Sequence, residues 1–283
     1  MLYREVESKI REHSASLEQS TQQLKDIGIN IKGLGYLAVG DGVSHKISDV
    51  FPSVTLSQVQ ALNSNATLND EADWYVIQKA VNDATPIKGN IILPFGTYLL
   101  SRPIILNQGV NLIGNGGTTK RTFYYTVDQN TFYCMGDNVV TGLKHDGGKT
   151  NITVTGTDYM YMHEIFYKGN NVTVENCRFD NAVGSHIQGG YFGYRGLKVI
   201  GNYFGDYNDH AIYVTSTSVN SGEITITANT FETTSASTRE CVKLRNYISN
   251  LVVSSNTFNL PTSTFITICL LYTSPSPRDQ RGS

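Results

Sequence analysis

The chain begins to repeat itself at Asn171-Val-Thr-Val-Glu-Asn-Cys-Arg-Phe179, and this repeat decides the fold. Three similar stretches follow: Leu197-Lys-Val-Ile-Gly-Asn-Tyr-Phe204, Ile224-Thr-Ile-Thr-Ala-Asn-Thr-Phe231 and Leu251-Val-Val-Ser-Ser-Asn-Thr-Phe258. Their asparagines fall at positions 176, 202, 229 and 256, so the steps between copies are 26, 27 and 27 residues. A fixed period of this length indicates a solenoid.

Each copy alternates apolar and polar residues, as from Ile224 to Thr227, and this alternation predicts a β-strand. The segments between copies are short and rich in Gly, Asn, Ser, Thr and Asp, so they leave no room for a crossover helix. Several strands in each period therefore predict an all-β fold, a parallel β-helix whose coils stack about 4.8 Å apart.

Residues one period apart lie directly above one another in such a solenoid. We therefore expect the repeated asparagines to form a ladder, with their amides bonded along the stack at a bend: Asn176, Asn202, Asn229 and Asn256. A stack of rings should run beside it: Phe179, Phe204, Phe231 and Phe258. The ladder is expected to support the fold and to bind no ligand.

The composition argues against several classes of partner. Only 16% of the 283 residues are charged and the net charge is −2, so neither nucleic acid nor a membrane surface is an expected partner. No run of about 18 apolar residues occurs, and the first residues lack the plan of a secretory signal. Action outside a cell would thus need another export route.

The four cysteines show no spacing typical of metal ligands. Cys134, Cys177 and Cys241 are interpreted as core or ladder thiols, and Cys269 lies in a segment treated separately below. No metal site and no cofactor are expected, although paired acids without a calcium-loop motif leave Ca²⁺ open.

Residues 3–27 carry a heptad pattern. The seam positions are separated alternately by three and four residues: Tyr3, Val6, Ile10, His13, Leu17, Ser20, Leu24 and Ile27. This spacing predicts a coiled coil over residues 1–28, with His13 and Ser20 as polar seam residues that set the register. The alternative is a single amphipathic helix lying on the body of the protein.

Residues 29–88 are expected to connect this stalk to the solenoid and to close its end. A glycine-rich connector with a turn at Asp41-Gly42 leads to a short amphipathic piece bearing Leu56, Val59 and Leu62. A stronger helix is predicted over residues 70–84, with Asn69 or Asp70 as its cap and a buried stripe of Trp74, Ile77 and Val81. Because an open solenoid end exposes apolar core, this helix should cover it.

Four motifs then follow in order: Gly40-Asp-Gly42; Asp73-Trp74 with Ile77-Gln78; Leu93-Pro94 with Gly96-Thr-Tyr98; and Leu112-Ile-Gly114 with Gly116. Together they resemble the pectate-lyase-like superfamily of right-handed parallel β-helices, and within it phage tail spikes and pre-neck appendage proteins. The resemblance covers residues 29–268. It implies a right-handed solenoid that acts on polymers laid across its side, and it specifies no catalytic residue.

Aromatic residues are concentrated in the irregular coils from residue 119 to 170: Phe123, Tyr124, Tyr125, Phe132, Tyr133, Tyr159, Tyr161, Phe166 and Tyr167. On an exposed face such rings would suit stacking against sugars. The alternative is ordinary packing in the core or between subunits.

The last residues break the repeat. The stretch from Cys269 to Asp279 resembles the translation of a sequencing adapter. We therefore expect the natural sequence to depart from this one near Ile268, with the β-helix occupying residues 89–268 and residues 269–283 forming no part of it.

Two carboxyl groups, or a base and a cation, are what polymer cleavage requires. Glycosidases use one acid to protonate the leaving oxygen and one carboxylate to activate water or attack, whereas lyases need a base and a cation beside the sugar's carboxylate. Turn residues one coil apart lie about 5 Å from each other and those two coils apart about 10 Å. A solenoid can therefore supply either glycosidase spacing.

Acids follow three of the four repeats: Asp180, Asp206 with Asp209, and Glu232. Because Asp180 and Asp206 are 26 residues apart, they are expected to be neighbours whose repulsion raises the pKa of one of them. The densest polar group is Gly205-Asp-Tyr-Asn-Asp-His210. We expect Asp206 and Asp209 to act as acid and base with His210 orienting them, and Asp180 to assist.

Other polar residues lie where the next strand begins. Lys243 and Arg245 are expected to bind an anionic substrate, with Glu240 and His186 beside them. Glu164, next to His163, is a lesser candidate. The alternative for all of these residues is an ordinary turn or strand start, because Asp and Asn favour turns for backbone reasons.

These observations favour a phage appendage or tail spike, located in the virion or outside the cell and assembled as a homotrimer. Its expected activity is depolymerisation of a host cell-surface polysaccharide or teichoic acid. Two alternatives remain open: a virion adhesin or structural fibre without catalysis, and a cellular polysaccharide lyase or hydrolase.

Overall fold

The structure is a computed structural model that describes residues 28–33, 35–123, 130–154, 156–234, 239–260 and 266–270, together with Lys9 and Ser14. Three sequence predictions therefore lie outside the described residues. The first is the coiled coil over residues 1–28, apart from Lys9, Ser14 and Gly28. The others are the roles of Tyr124 and Tyr125 and the segment from residue 271 to 283.

The described part of the chain winds repeatedly around three faces, which we name A, B and C in the order in which each coil visits them. Face A contains Ile29–Asn30, Asn90–Leu93, Asn111–Gly114, Val139–Thr141, Thr173–Glu175 and Lys198–Ile200. Face B contains Gly96–Leu100, Gly117–Arg121, Lys144–Asp146, Arg178–Asp180, Tyr203–Phe204, Thr230–Glu232 and Thr257–Asn259. Face C contains Ile104–Leu106, Phe132–Cys134, Ile165–Tyr167, Ile187–Gly189 and Ile266–Leu270. Two long strands, Ile212–Thr227 and Val242–Ser254, begin on face C and end on face A.

Every pairing between these strands is parallel, and each joins strands of successive coils. On face A, for example, Val174 pairs with Val140 on one side and Val199 on the other. On face C, Ile187 pairs with Ile165 and with Ile212. The chain is therefore a right-handed parallel β-helix, as the repeat and the resemblance predicted.

The phenylalanine stack predicted from the repeat is confirmed. Phe179, Phe204 and Phe231 are fully buried, and their ring centroids are 5.6 and 5.1 Å apart with nearly parallel planes. Phe258 continues the stack 4.9 Å beyond Phe231. These rings come from face B and fill the interior of the last four coils, so the repeated Phe is a core residue.

The asparagine ladder is present with one correction. The backbone N–H groups of Asn202 and Asn229 donate to the side-chain oxygens of Asn229 and Asn256, each at 2.9 Å. The position below Asn202 is occupied by Cys177, whose N–H donates to Asn202 Oδ1 at 2.9 Å. Asn176 lies one residue earlier, in the left-handed conformation at φ +52°, so it is outside the ladder.

The helices lie at the N-terminal end of the solenoid: α1 (Ile47–Val50), α2 (Leu56–Leu62) and α3 (Ala72–Ala84). Helix α3 is the predicted cap helix, and Trp74, Ile77 and Val81 are fully buried along it. Trp74 Nε1 donates to the carbonyl of Pro103 in the first coil at 2.9 Å. The helix begins after Glu71 rather than after Asn69 or Asp70.

The carboxylate of Asp73 fixes this cap to the strands. It accepts from the backbone N–H groups of Val39, Gly40 and Leu99 at 2.8, 3.1 and 3.2 Å. In α2 only Val59 is fully buried, while Leu56 is exposed, so the short amphipathic piece contributes little to the core.

Cys134, Cys177 and Cys241 are buried free thiols, as expected for core residues. The final strand extends to Leu270, where Arg245 and Asn246 pair with Cys269 and Leu270. The strand thus runs two residues past the boundary that we placed at Ile268.

Candidate functional site

The candidate site is built on face C, where two rows of side chains run along the solenoid. In successive coils Ile165 pairs with Ile187, Ile187 with Ile212, and Ile212 with Val242, and we call this the aligned position. Its four residues point inward and are fully buried. The next residue in each strand forms the strand row: Tyr133, Phe166, Gln188, Tyr213 and Lys243. The residue two positions before each aligned position forms the pre-strand row: His163, Ser185, His210 and Glu240.

Backbone hydrogen bonds align the pre-strand row from coil to coil. The carbonyl groups of His163, Ser185 and His210 accept from Thr131, Glu164 and His186 of the coil before, at 2.8, 3.0 and 3.1 Å. The sequence brings these side chains together because each strand of face C is entered from a turn, and the turn residues stack as the strands do.

The centre of the site is His210, which lies between two carboxylates. Its Nδ1 donates to the carbonyl oxygen of Glu240 at 2.7 Å. Since a carbonyl can only accept, the neutral ring keeps its hydrogen on Nδ1 and leaves Nε2 as an acceptor. Nε2 lies 3.5 Å from Asp209 Oδ1, and Nδ1 lies 3.8 Å from Glu240 Oε2. A ring nitrogen with a free lone pair beside a carboxylate can take up a proton whose charge the carboxylate stabilises, so this pair is suited to acid–base chemistry.

The two carboxylates have different second partners. Asp209 is buried, and its Oδ2 accepts from Ser185 Oγ at 3.1 Å. Glu240 is partly exposed, and both its oxygens lie 3.1 Å from Lys243 Nζ. Arg239 Nε is 3.9 Å from Asp209 Oδ1. One coil thus supplies Asp209, and the next coil supplies Arg239, Glu240 and Lys243.

Burial and charge shift the pKa values of this group in defined directions. Burial lowers the pKa of His210 below its ordinary value, although the Asp209 carboxylate opposes that shift. For Glu240, burial alone would raise the pKa, but its own backbone N–H and the Lys243 ammonium outweigh burial and lower it. At neutral pH the site therefore offers a neutral imidazole beside an ionised Glu240.

Asp180 and Asp206, predicted to be neighbours, do not share a register. Phe179 pairs with Phe204, so Asp180 lies beside Gly205 and one position out of step with Asp206. Asp180 is on face B, where Arg178 binds both its oxygens at 2.6 and 3.0 Å. Asp206 accepts from the N–H and Oγ of Thr234, each at 2.8 Å. The expected like-charge pair is therefore absent.

His186 was predicted to bind substrate and is instead a core residue. It is fully buried, its Nε2 lies 3.2 Å from the carbonyl oxygen of Gly205, and its ring packs at a tilt against both Phe179 and Phe204. Arg245 is exposed on face C, two residues beyond Lys243 and directed outward like it. The predicted acid–base roles of Asp206 and Asp209 and the orienting role of His210 stay predictions. The same holds for substrate binding by Lys243, Arg245 and Glu240.

Glu164, the lesser candidate, is a core residue as well. It is fully buried, and its Oε2 accepts from Thr131 Oγ1 at 2.6 Å and lies 2.7 Å from His145 Nε2. Arg121 NH1 lies 3.7 Å from Glu164 Oε1, and its side chain is also fully buried. These residues form a charged cluster inside the solenoid, directly behind the pre-strand row.

The aromatic residues from 119 to 170 divide between two environments. Phe123, Phe132 and Tyr167 are core residues. Tyr133 and Phe166 belong to the strand row on face C, and their rings meet edge to face at 5.9 Å. Tyr161 is 66% exposed in the turn Asp158–Tyr161 that precedes face C. The core interpretation is confirmed for the first set, whereas sugar stacking by the rings outside the core stays a prediction.

Sequence reasoning missed Ser185, Arg239, Gln188 and Tyr213. The signal that could have found them is the row Ile165, Ile187, Ile212 and Val242, because aligning on these core residues sets the two outward rows in register. Among the described residues, no three His, Cys, Asp or Glu side chains are grouped as a metal site would require. No helix in the described part of the chain has the length and apolarity to cross a membrane.

Comparison with known structures gives distant similarities. A candidate glycosyl hydrolase of Parabacteroides merdae shares 13% identity at a TM-score of 0.33, covering 69% of this chain and 87% of that one. The surface adhesin PfbA of Streptococcus pneumoniae shares 13% identity at a TM-score of 0.36, covering 87% and 76%. Geobacillus virus E2 ORF18 shares 16% identity at a TM-score of 0.30, covering 92% and 64%. No curated protein sequence matches the chain.

The family comparison covers more than half of the chain. Residues 69–259 match the family described as "Rhamnogalacturonase A/epimerase, pectate lyase-like". The match runs from just before the cap helix to the last strand of face B, and so includes the whole of the site around His210. The chain belongs to this family of pectate-lyase-like β-helix proteins.

Proposed function

We propose that the chain is a polysaccharide depolymerase that binds its polymer along face C and cleaves it at Asp209, His210 and Glu240. The observation that carries the proposal is the imidazole of His210 held between two carboxylates on neighbouring coils, 3.5 and 3.8 Å away. Membership in a family of pectate-lyase-like proteins supports the reaction class.

Each residue has a role that its contacts suit. His210 would take up a proton at Nε2, stabilised there by the Asp209 carboxylate, and pass it to the leaving oxygen, while Glu240 would act as the carboxylate that activates water or attacks. Arg239 and Lys243 would bind an anionic group of the polymer and release Asp209 and Glu240 from their ion pairs as they do so. Tyr213, whose ring centroid lies 5.1 Å from that of His210, would form the floor beneath a sugar.

The proposed substrate is a bacterial cell-surface polysaccharide or teichoic acid. The proposed setting is a phage tail spike or appendage, in the virion or outside the cell. This setting rests on the sequence resemblance. A non-catalytic adhesin is the second candidate, favoured by the two 3.1 Å contacts that hold Glu240 against Lys243.

Asp209→Asn is expected to reduce polymer cleavage about 100-fold, because a neutral amide cannot stabilise the protonated His210 ring. The assay would incubate the full chain with purified Gram-positive cell walls and measure released reducing ends and glycerol phosphate. Asp180→Asn is the matched control: it removes an acid of the same type that is paired with Arg178 on face B, and activity should be unchanged. Full activity in Asp209→Asn would contradict the site. Tight binding without release by the wild-type chain would favour the adhesin.

We also propose a homotrimer, supported by the heptad spacing of residues 3–27 and by the resemblance. Sedimentation equilibrium of the full chain should give three times the chain mass of 31.2 kDa. Changing Ile10 and Leu17 of the seam to Asp should reduce that mass to one chain. A wild-type protein that sediments as a monomer at all concentrations would refute the trimer.

A further inference from the structure

The longest turn between faces B and C, residues 147–164, does not stay on its own coil. In the part that the structure describes, the backbone N–H of Lys149 donates to the carbonyl oxygen of Asn181, in the next coil, at 2.9 Å. Lys149 Nζ donates to the carbonyl oxygen of Tyr207, one coil further on, at 3.4 Å. Tyr159 contacts Arg239, which belongs to the third coil after its own. The turn therefore lies along the solenoid, beside the corner where the strands of face C begin.

Gly184 brings the turn Asp158–Tyr161 close to the next coil. A Cβ at this position would collide with the carbonyl oxygens of Tyr159 and Met162. The backbone N–H of Met162 donates to the carbonyl oxygen of Tyr159 at 3.1 Å and closes the turn. Met162 is fully buried, so it anchors the end of the turn in the core. The backbone thus fixes the point from which the Tyr159 side chain extends.

The Arg239 guanidinium is held between this turn and the candidate site. Its Nη2 donates to Tyr159 Oη at 3.4 Å and lies 3.8 Å from Met160 Sδ. Its Nε lies 3.9 Å from Asp209 Oδ1. Because the donors of a guanidinium are fixed in one plane, contacts at two of its nitrogens set the orientation of the whole group. Tyr159 and Asp209 therefore decide together where this cation points.

Arg239 is the more accessible member of its ion pair. Its side chain is 37% exposed, whereas that of Asp209 is 5% exposed. An anionic group that approaches His210 from solvent would therefore meet the guanidinium before the Asp209 carboxylate. The Tyr159 hydroxyl and the Asp209 carboxylate raise the pKa of Arg239, so the guanidinium stays charged. A long side chain that is already held loses little conformational freedom when its ligand binds.

We propose that Tyr159 is a positioning residue, whose hydroxyl group holds Arg239 in the orientation that binds the anionic group of the polymer. Tyr159 itself touches no reacting atom and acts through Arg239. This inference rests on the proposed function and deepens it, because recognition of the anionic group then depends on a turn that comes from three coils before. Two segments select an anionic polymer together: the turn Asp158–Tyr161 and the coil that carries Arg239, Glu240 and Lys243.

Tyr159→Phe keeps the ring and removes only the hydroxyl group. We expect it to raise KM for purified Gram-positive cell-wall polymer about fivefold to tenfold and to leave kcat unchanged, because the anionic group is bound alike in the ground state and the transition state. Tyr203→Phe is the matched control: this ring also lies beside an arginine, with the Arg178 guanidinium 3.9 Å from its centroid, but it is on face B. Its KM should equal that of the wild type. An unchanged KM in Tyr159→Phe would overturn the proposal.

A double-mutant cycle separates positioning from a general contribution to the fold. In Arg239→Ala, adding Tyr159→Phe should change KM no further, since the hydroxyl group acts through the guanidinium. A second rise in KM in the double variant would mean that Tyr159 contributes by another route, and it would refute the positioning role.

A measurement without polymer keeps this proposal distinct from the proposed function. Phenylglyoxal, which reacts with arginine side chains, would be added to the full chain, and modification of Arg239 would be followed by peptide mass spectrometry. Arg239 should react about fivefold faster in Tyr159→Phe than in the wild type, because a hydrogen bond that holds it is lost, whereas Arg178 should react equally in both. Equal rates at Arg239 would overturn the positioning. A wild-type chain that neither cleaves nor binds polymer would instead overturn the proposed function, so the two failures give different results.

Discussion

Glu164→Ala is expected to lower the free energy of unfolding by about 3–5 kcal/mol, because it leaves the buried Arg121 guanidinium without its carboxylate. Both side chains are fully buried, with Arg121 NH1 3.7 Å from Glu164 Oε1. The substitution also removes the acceptor of Thr131 Oγ1 and the partner of His145 Nε2, at 2.6 and 2.7 Å. Urea denaturation of the wild type and the variant, followed by circular dichroism, would measure the change.

Two further variants make this prediction specific. Glu240→Ala removes a carboxylate paired with a lysine at the surface, and it should cost about 1 kcal/mol or less. Arg121→Met combined with Glu164→Leu removes both charges, and it should recover most of the stability lost in Glu164→Ala. A loss below about 1 kcal/mol in Glu164→Ala would mean that the buried cluster does not stabilise the solenoid.

Acidification from pH 7 to pH 4 should destabilise the protein by several kcal/mol through two buried histidines. Burial lowers the pKa of His163 to about 3 and that of His186 to about 4, from an ordinary value of 6.5. Below pH 6.5 the unfolded chain takes up protons at both residues while the folded chain does not. Stability is therefore fully present above pH 6.5 and falls by about 1.4 kcal/mol per pH unit for each histidine until the folded pKa is reached.

The pH dependence has an internal control. His186→Phe replaces a ring that packs against Phe179 and Phe204, so it removes one of the two titrating groups and leaves an aromatic side chain in its place. The fall in the thermal midpoint between pH 6.5 and pH 4 should be about half as steep in this variant. A wild-type midpoint that is constant over this range would contradict the burial of neutral histidines.

The coil, the ring stack and the cap helix could be predicted from the sequence because a solenoid repeats in one dimension. The register of the first repeat could not be fixed by asparagine alone. In three copies one residue separates Asn from Phe, as in Asn202-Tyr203-Phe204, whereas two residues separate Asn176 from Phe179. Counting back from the phenylalanine places Cys177 at the ladder position, which is what the structure shows.

The residues of the candidate site were harder to predict from their spacing in the sequence, because the turns between faces B and C differ greatly in length. They run from three residues (101–103) to eighteen (147–164), so a step of 26 residues does not keep turn side chains in register. Asp180 and Asp206 are out of step for a different reason: Phe179 pairs with Phe204, so the local period is 25 residues, one fewer than the step between the two acids. Asp209 and His210 could be found because they immediately precede a strand of face C, where the register is restored.

The corner before face C also breaks the alternation of inward and outward residues. Glu164 and Ile165 both point into the core, as do His186 and Ile187, so two successive residues are buried at each entry to the strand. A strict period of two therefore places His186 on the surface, although it is a core residue. Polar residues at this corner are distinguished as core or surface only by their distance from the aligned apolar position.

Hydroxyl-radical footprinting of the full chain, with and without purified cell-wall polymer, tests most directly whether the polymer lies on face C. We predict that oxidation of Tyr161, Tyr191 and Tyr213 slows when polymer is bound, because these rings line the proposed path. Oxidation of Tyr203 on face B and of the exposed Phe95 should be unchanged. Protection of Tyr203 without protection of Tyr191 and Tyr213 would contradict the account and move the binding site to face B.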